Sequence, residues 1–329
     1  SNEDYYSDRS RVSNSNIGWF LNKGPKYLHD MLTGKGEDEK GAQLTRGTMI
    51  HEYILQPEEF NKDYLVWNKS RPSSAQQEKF CQELASSLEI EPNRAILEAY
   101  KASYSTNGKT DDKMLSEGLK IAKNNEEYID FLKRNDGRQL ISMYDVQMLE
   151  RIKENVQQHK LASKLIREAG AYGSDVIYHE FHINWTCNVG DHMLVSCKSL
   201  LDSVEFDFKR KLCILSDLKT TVNLWNFQDS MEHYDYLRQL RYYQMALVWY
   251  IKNELNDNPD DWDFRFYIVA IDTTGKNDVR VFEFTLEQVE SRSETILSAL
   301  HDIAWHWTND KWEHSMSYYL GDGSEKLDI

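Results

Sequence analysis

The stretch from Ile214 to Thr221, ILSDLKTT, sets an aspartate and a lysine two positions apart inside a run that otherwise reads as a buried strand. Side chains alternate between the faces of a strand, so Asp217, Lys219 and Thr221 share one face while Ile214 and Leu218 occupy the other. The preceding run, CKSLLDSVEF, carries Asp202, and the polar DFKRK between the two reads as the turn of an antiparallel hairpin. With Lys209 and Arg210 as a two-residue turn, Phe208 faces Lys211 and, counting back along both strands, Asp202 faces Asp217. Directly opposite residues have Cβ atoms about 4.5–5.5 Å apart, and two carboxylates that close repel unless a cation or a proton lies between them. Two readings follow. Either Lys219 supplies the counter-charge in a structural ion-pair cluster, or the acids hold Mg2+ or Mn2+, hard dications that take carboxylate oxygens and leave positions for water and phosphate. A lysine beside such a site can hold or help deprotonate an attacking water, a combination suited to phosphodiester hydrolysis.

The elements that must position these residues change character along the chain. Residues 1–10 are polar and expected to fray. Ser13 or Ser15 is a fitting cap for a helix bearing Ile17, Phe20 and Leu21 on one face, and KGEDEK from Lys35 to Lys40 reads as an exposed loop. In TRGTMIHEYILQPEEF the residues Met49, Ile50, Tyr53 and Ile54 recur at helical spacing until Pro57, and His51 rides on that helix. From Gln76 to Glu168 the pattern is helical and charged, with SAQQEKFCQELASSL, DDKMLSEGLKIAKNNEEYIDFLKRN and DVQMLERIKENVQQHKLASKLIREAG as candidate helices whose charges are read as solvated faces. After Tyr172 the period becomes alternating, and DVIYHEFHINWTC, HMLVSCKSLLDSVEF, KLCILSDLKTT and DFRFYIVAIDTT read as strands. DYLRQLRYYQMALVWYIKNEL lies between the last two as an amphipathic helix, and TLEQVESRSETILSALHDIAWHWTNDKW follows as another. Helices flanking a central mixed β-sheet make the class α/β or α+β. The aromatic IAWHWTNDKW is expected to pack in the core or at an oligomer contact, with base stacking as the alternative.

Composition narrows the function. A chain of 329 residues, 40% apolar and 12% aromatic, can bury a substantial core. No run approaches about 18 apolar residues, and the start shows no basic-then-apolar pattern, so no membrane span or signal peptide is expected and the location is read as cytoplasmic. Cys81, Cys187, Cys197 and Cys213 form no CxxC pair, which speaks against a disulfide framework, structural zinc or an iron–sulfur cluster. The net charge of −15, from 39 basic and 54 acidic residues, argues against broad non-specific DNA affinity. A local basic cleft or a bound dication still permits phosphate binding on an acidic protein.

Asp202, fourteen intervening residues and then Asp217-x-Lys219 resemble the signature of the PD-(D/E)xK nuclease superfamily, with Leu201 where the name has proline. GTMIHEYILQPEEF resembles a segment of RecE-type exonucleases in which the histidine is a metal ligand. EFHINW followed by CKSLLD is similar to that branch's glutamate-bearing strand and its C-K-x-R-x-D strand, with Leu200 in place of the arginine. QLRYY resembles the Q-x-x-x-Y motif of RecB-like nucleases and sets Gln239 and Tyr243 one helical turn apart, where they can touch DNA or orient the strand of Asp217 and Lys219. The resemblance to this RecE/RecB-like, lambda-exonuclease-type branch covers residues 11–75 and 140–250. It implies a single nuclease domain over 11–329 with a restriction-endonuclease-like core, interrupted by a helical insertion at about 85–137. It further implies one or two Mg2+ (or Mn2+) ions held by His51, Asp202, Asp217 and the Leu218 carbonyl, with Glu180 a ligand or supporting acid and Lys219 positioning water. The activity implied is exonucleolytic degradation of double-stranded DNA ends in phage-type recombination or repair, with a homo-oligomeric ring and a single-strand annealing protein as possible partners. The alternatives are a structure-specific endonuclease, an AddB-like nuclease lacking its iron–sulfur cluster, since no cysteine follows Cys213, and an inactive DNA-binding module.

Overall fold

A computed structural model of the chain describes residues 2–36, 46–190, 192–325 and 327. The loop expected over 35–40 lies, from residue 37 onward, outside them. In chain order the first elements are α1 (Asn2–Ser7), α2 (Asn14–Thr33), α3 (Arg46–Leu55) and α4 (Pro57–Asp63). Next come β1 (Tyr64–Val66), α5 (Ala75–Ser86), α6 (Pro92–Ser103), α7 (Asp111–Asn124), α8 (Glu126–Lys133), β2 (Gln139–Ile141), α9 (Met143–Gln158) and α10 (Ala162–Leu165). The remainder holds β3 (Gly170–Tyr172), β4 (Asp175–Asn188), β5 (Leu194–Asp207), β6 (Leu212–Thr221), α11 (Phe227–Tyr234), α12 (Tyr236–Asn253), β7 (Asp263–Asp272), β8 (Val279–Phe284), α13 (Leu286–Glu290), α14 (Ser293–Asn309) and α15 (Met316–Leu320).

The chain divides into two compact units, Ser1–Pro57 with Met148–Ile329, and Glu58–Gln147. In the second unit α5 to α8 enclose Phe80, Cys81, Tyr100, Met114 and Tyr128, beside a short parallel pair of β1 and β2. Two sequence expectations change here. The stretch after Glu91 forms α6, started by Pro92 in the first turn and by the Glu91 carboxylate accepting the N–H groups of Asn93 at 3.1 Å and Arg94 at 2.7 Å. The single helix expected from Asp111 breaks at Asn125, whose buried side-chain amide donates to the Ile121 carbonyl at 2.9 Å and competes with the helical ladder.

The first unit is built on a six-stranded sheet ordered β3-β4-β5-β6-β7-β8. Only β6 and β7 run parallel, and parallel neighbours require a long crossover, here the segment that contains α11 and α12. Leu240, Ala246, Leu247 and Ile251 of α12 pack with Leu201, Val204, Phe206 and Leu215 of the sheet, and Ile296, Leu300 and Ile303 of α14 join the same core. The edge strand β8 was not legible in VRVFEF, because its residues are half-buried and mixed in polarity. The C-terminal aromatic run divides, with Trp312 and His306 buried in stacked contact at 5.4 Å and Trp307 exposed.

The hairpin has the expected register, since Asp207 pairs with Leu212 and Ser203 with Ser216. Its loop has four residues rather than two. Asp207 accepts the N–H groups of Lys209 at 3.1 Å and Arg210 at 3.0 Å, and Lys211 turns the chain with φ +50°. The longer loop leaves the pairing unchanged because Phe208 and Lys211, which would pair above a two-residue turn, both join the loop, so the strands keep the same register.

Residues 2–7, which composition marks as frayed, form α1. The buried Lys198 of β5 holds this segment by donating its ammonium to the carbonyls of Tyr5 and, at 2.6 Å, Asp8. Val12 then pairs beside Cys197, with Val12 N–H on the Ser196 carbonyl at 2.9 Å and Lys198 N–H on the Val12 carbonyl at 2.8 Å. Lys198→Met keeps the packing of the aliphatic stem and removes these donors. The expected outcome is faster tryptic cleavage after Arg9 and Arg11 with an unchanged sheet circular-dichroism signal; equal cleavage rates would show that the lysine does not anchor the segment.

Candidate active site

The site forms where two strands part. β4 and β5 pair from Asp175–Asp207 to Asn188–Leu194 with one gap, at Glu180 opposite Asp202. β5 and β6 pair only as far as Ser203–Ser216, whereas β6 continues against β7 to Thr221–Asp272. Asp202 and Asp217 are the next residues of the interrupted register, so the two acids line the opening. In place of a ladder hydrogen bond, Asp202 Oδ2 accepts the backbone N–H of Leu218 at 2.7 Å. The hairpin thus sets the two acids by register, and the split between strands gives them room.

Helix α3 carries His51 over this opening. Its Nδ1 lies 3.0 Å from Glu180 Oε1 and its Nε2 lies 2.9 Å from Asp202 Oδ2. His51, Glu180 and Asp202 each offer one ligand atom within 4.8 Å of the others. Met49, Ile50 and Leu55 bury the other side of α3, which fixes the helix and hence the imidazole. Glu180 holds φ +49° in the middle of β4, a left-handed conformation costing about 1–3 kcal/mol for a residue with a side chain. That strain falls at the one gap in the β4–β5 ladder, where the carboxylate reaches His51.

The electrostatics separate the acids. Burial opposes the charge of Asp202, yet His51, Lys219 and the Leu218 N–H hold its carboxyl below the usual carboxylate range. Burial and the neighbouring Asp202 charge push Asp217 up to about 6, against the opposing pull of Lys219 and His51. At about 1.4 kcal/mol per unit, keeping Asp217 ionised costs about 3 kcal/mol. Its Oδ2 lies 2.6 Å from Lys219 Nζ, while its buried Oδ1 accepts no hydrogen bond among the described residues. Burial favours neutral Lys219, but Asp217 and Asp202 together hold the ammonium above the usual lysine range. Burial likewise favours a neutral His51, and the Asp202 and Glu180 carboxylates outweigh it and raise the imidazole well above its ordinary value.

Three carboxylates and an imidazole around an opening, one oxygen of them orphaned and buried, are the donors expected of a divalent-cation site for Mg2+ or Mn2+. His51, Glu180 and Asp202 fit as direct ligands and Asp217 Oδ1 as a further oxygen donor. Leu218 contributes its N–H to Asp202, as noted.

On α12, Gln239 Nε2 donates to the Tyr243 hydroxyl at 3.0 Å. Burial first, and the charge of Asp217 second, raise the Tyr243 hydroxyl well above its ordinary value. Tyr243 is buried and Gln239 half-buried. Residues missed in the sequence also surround the site. The Lys219 ammonium lies 4.8 Å from the Tyr236 ring centroid; Tyr236 shares the helical face of Gln239 and Tyr243 at i, i+3 and i+7, a spacing that could have found it. Burial raises the Tyr5 hydroxyl, and the Glu180 charge adds to the effect. Nothing in the sequence marks Tyr5, the anchoring role of Lys198 or the backbone of Glu180.

Residues 13–317 match the model of a family described as "PDDEXK-like domain of unknown function (DUF3799)". A solved structure from Eubacterium rectale, described as "Putative exonuclease", is 12% identical with a TM-score of 0.47, covering 100% of this chain and 95% of that one. No curated protein sequence matches the chain.

Asp217→Asn removes one of two adjacent buried charges. In chelator the variant should be more stable than the parent by about 1–3 kcal/mol, read from urea denaturation; a less stable variant would mean that Lys219 alone already neutralises the acid. Adding Mn2+ should raise the melting temperature of the parent protein with rising metal concentration, and Asp202→Asn should abolish that rise.

Proposed function

The chain belongs to the PDDEXK-like family DUF3799, and on that premise we propose that it is a Mg2+- or Mn2+-dependent nuclease that hydrolyses DNA phosphodiesters. The observation that carries the reading is the convergence of His51, Glu180, Asp202, Asp217 and Lys219 on one opening between β5 and β6. His51, Glu180, Asp202 and Asp217 are assigned to the metal. When bound, the dication supplies charge to the phosphate oxygens and acidity to a water.

The chain's own residues do the rest. Asp217 fixes the Lys219 ammonium, and Lys219 holds a water through its N–H groups at the face of the phosphate. As the water oxygen forms its bond to phosphorus, the bond to the ester oxygen breaks and one proton passes from the water to bulk solvent. The leaving alkoxide takes up one proton from solvent, so protons and charge balance over the step. Gln239 and Tyr243 brace the strand of Asp217 from α12. Helix α3 holds His51 against two acids at once, which pre-organises the ligand set.

The RecE-like segment around His51 supports a finer assignment, an exonuclease acting on double-stranded DNA ends in phage-type recombination. Lys219→Ala, Asp202→Ala and His51→Ala should each lower cleavage of linear duplex DNA at least about a thousandfold in Mg2+, with the fold intact by circular dichroism. An unreduced rate in Lys219→Ala would overturn its assignment. A covalently closed duplex should resist the wild-type protein, and nicking or linearisation of that circle would assign an endonuclease instead.

A further inference from the structure

The hydrolytic site leaves unexplained a run of rings that begins at Lys219. After β6 the chain passes through Trp225 and α11 before entering α12. Tyr236, whose ring lies under the Lys219 ammonium, stacks with Tyr234 at 5.5 Å and 19° and with Phe227 at 5.9 Å and 23°. Phe227 stacks with Phe282 of β8 at 5.1 Å and 6°. The Arg280 guanidinium then lies 5.0 Å from the Phe282 centroid and 4.4 Å from that of Trp225. The rings of Tyr234, Tyr236, Phe227 and Phe282 are close to parallel from one to the next, and the series, continued through Arg280 to Trp225, has exposed rings at its ends, Tyr234 at 59% and Trp225 at 80%.

A stack that served packing alone would bury its ends. Here the middle is covered and the ends face solvent, next to two cations, Lys219 and Arg280. Arg280 makes no ion pair with a carboxylate among the described residues, and Lys219 pairs with Asp217 while facing the Tyr236 ring. Flat exposed rings beside cationic side chains match the two faces of a nucleotide, a base that stacks and a phosphate that carries charge.

We propose that this stack seats an unpaired DNA segment, with one base against Tyr234 beside the phosphate held at Lys219 and another against Trp225, where Arg280 meets the backbone. The proposal rests on the nuclease reading and extends it: the site takes nucleotides already separated from their complement, as at a frayed duplex end. Tyr234 and Trp225 are positioning residues that orient the strand.

The test measures binding of a short fluorescent single-stranded oligonucleotide by anisotropy, with Ca2+ replacing Mg2+, alongside cleavage of linear DNA by the wild type in Mg2+. Tyr234→Ala and Trp225→Ala should each weaken binding about tenfold, whereas Tyr234→Phe and Trp225→Phe retain it. An oligonucleotide with abasic positions should bind the wild type and both alanine variants equally weakly. Melting temperatures should not move, since both rings are exposed. If the wild type cleaves DNA and the alanine variants bind the normal oligonucleotide as tightly as it does, the stacking proposal fails and the nuclease reading stands. If the wild type neither binds nor cleaves DNA, the reading beneath it fails as well. Unchanged DNA binding together with loss of a self-associated state in Trp225→Ala on size exclusion would reassign the outer ring to a contact between copies and overturn the proposal.

Discussion

Repulsion between Asp202 and Asp217 is the constraint around which the first unit is arranged. The hairpin register delivers both acids to the same level of the sheet, and the ladder ends one pair before them, at Ser203–Ser216. Asp202 then turns its carboxylate onto the Leu218 N–H, and Asp217 turns toward Lys219. Each neighbour meets part of the charge, and neither meets all of it: Asp217 is left with a pKa near 6 and one unbonded oxygen. A site that is only partly neutralised by its own chain holds free energy in reserve for a cation. That is the physical difference between this arrangement and a structural ion-pair cluster, in which each buried oxygen would be matched.

The supporting elements gain meaning from that deficit. Glu180 accepts a backbone conformation that most residues avoid in order to bring a third carboxylate to His51. The imidazole sits between two acids that raise it well above its ordinary value, and its two nitrogens are held by Glu180 and Asp202. Lys198, four residues before Asp202 on β5, spends its charge on backbone carbonyls of the N-terminal segment and so stays clear of the acids. One lysine of the two on these strands therefore anchors backbone carbonyls and the other pairs with Asp217.

The sheet and the pair of acids were legible because they rest on local rules. The strand period of two and a polar turn centred between Lys209 and Arg210 give the register of β5 and β6 even though the loop is two residues longer than expected. His51 was legible only through resemblance, because a histidine on an amphipathic helix carries no metal signal by itself. Three things were hidden. The edge strand β8 lacks a clean alternation because one face is partly solvated. The break at Asn125 depends on a side-chain amide competing for a helical carbonyl, which propensity alone does not register. The N-terminal anchor needs a tertiary contact between Lys198 and carbonyls about 190 residues earlier in the chain, and no window of sequence contains both.

The net charge of −15 bears on how such a protein can hold a polyanion. Binding driven by many lysines and arginines on phosphates releases counterions and weakens steeply with salt. A chain with 54 acidic residues has little of that to offer, and its long-range field opposes the approach of DNA. On the proposed reading, affinity would come from short-range terms that survive screening: a divalent cation held by the carboxylates, the Lys219 ammonium, and rings that stack on bases without regard to charge. The same acidity discourages lodging along intact duplex, where bases are inaccessible and only phosphates are presented. On that reading, selectivity for ends or unpaired nucleotides would follow from the distribution of charge as much as from the shape of the site.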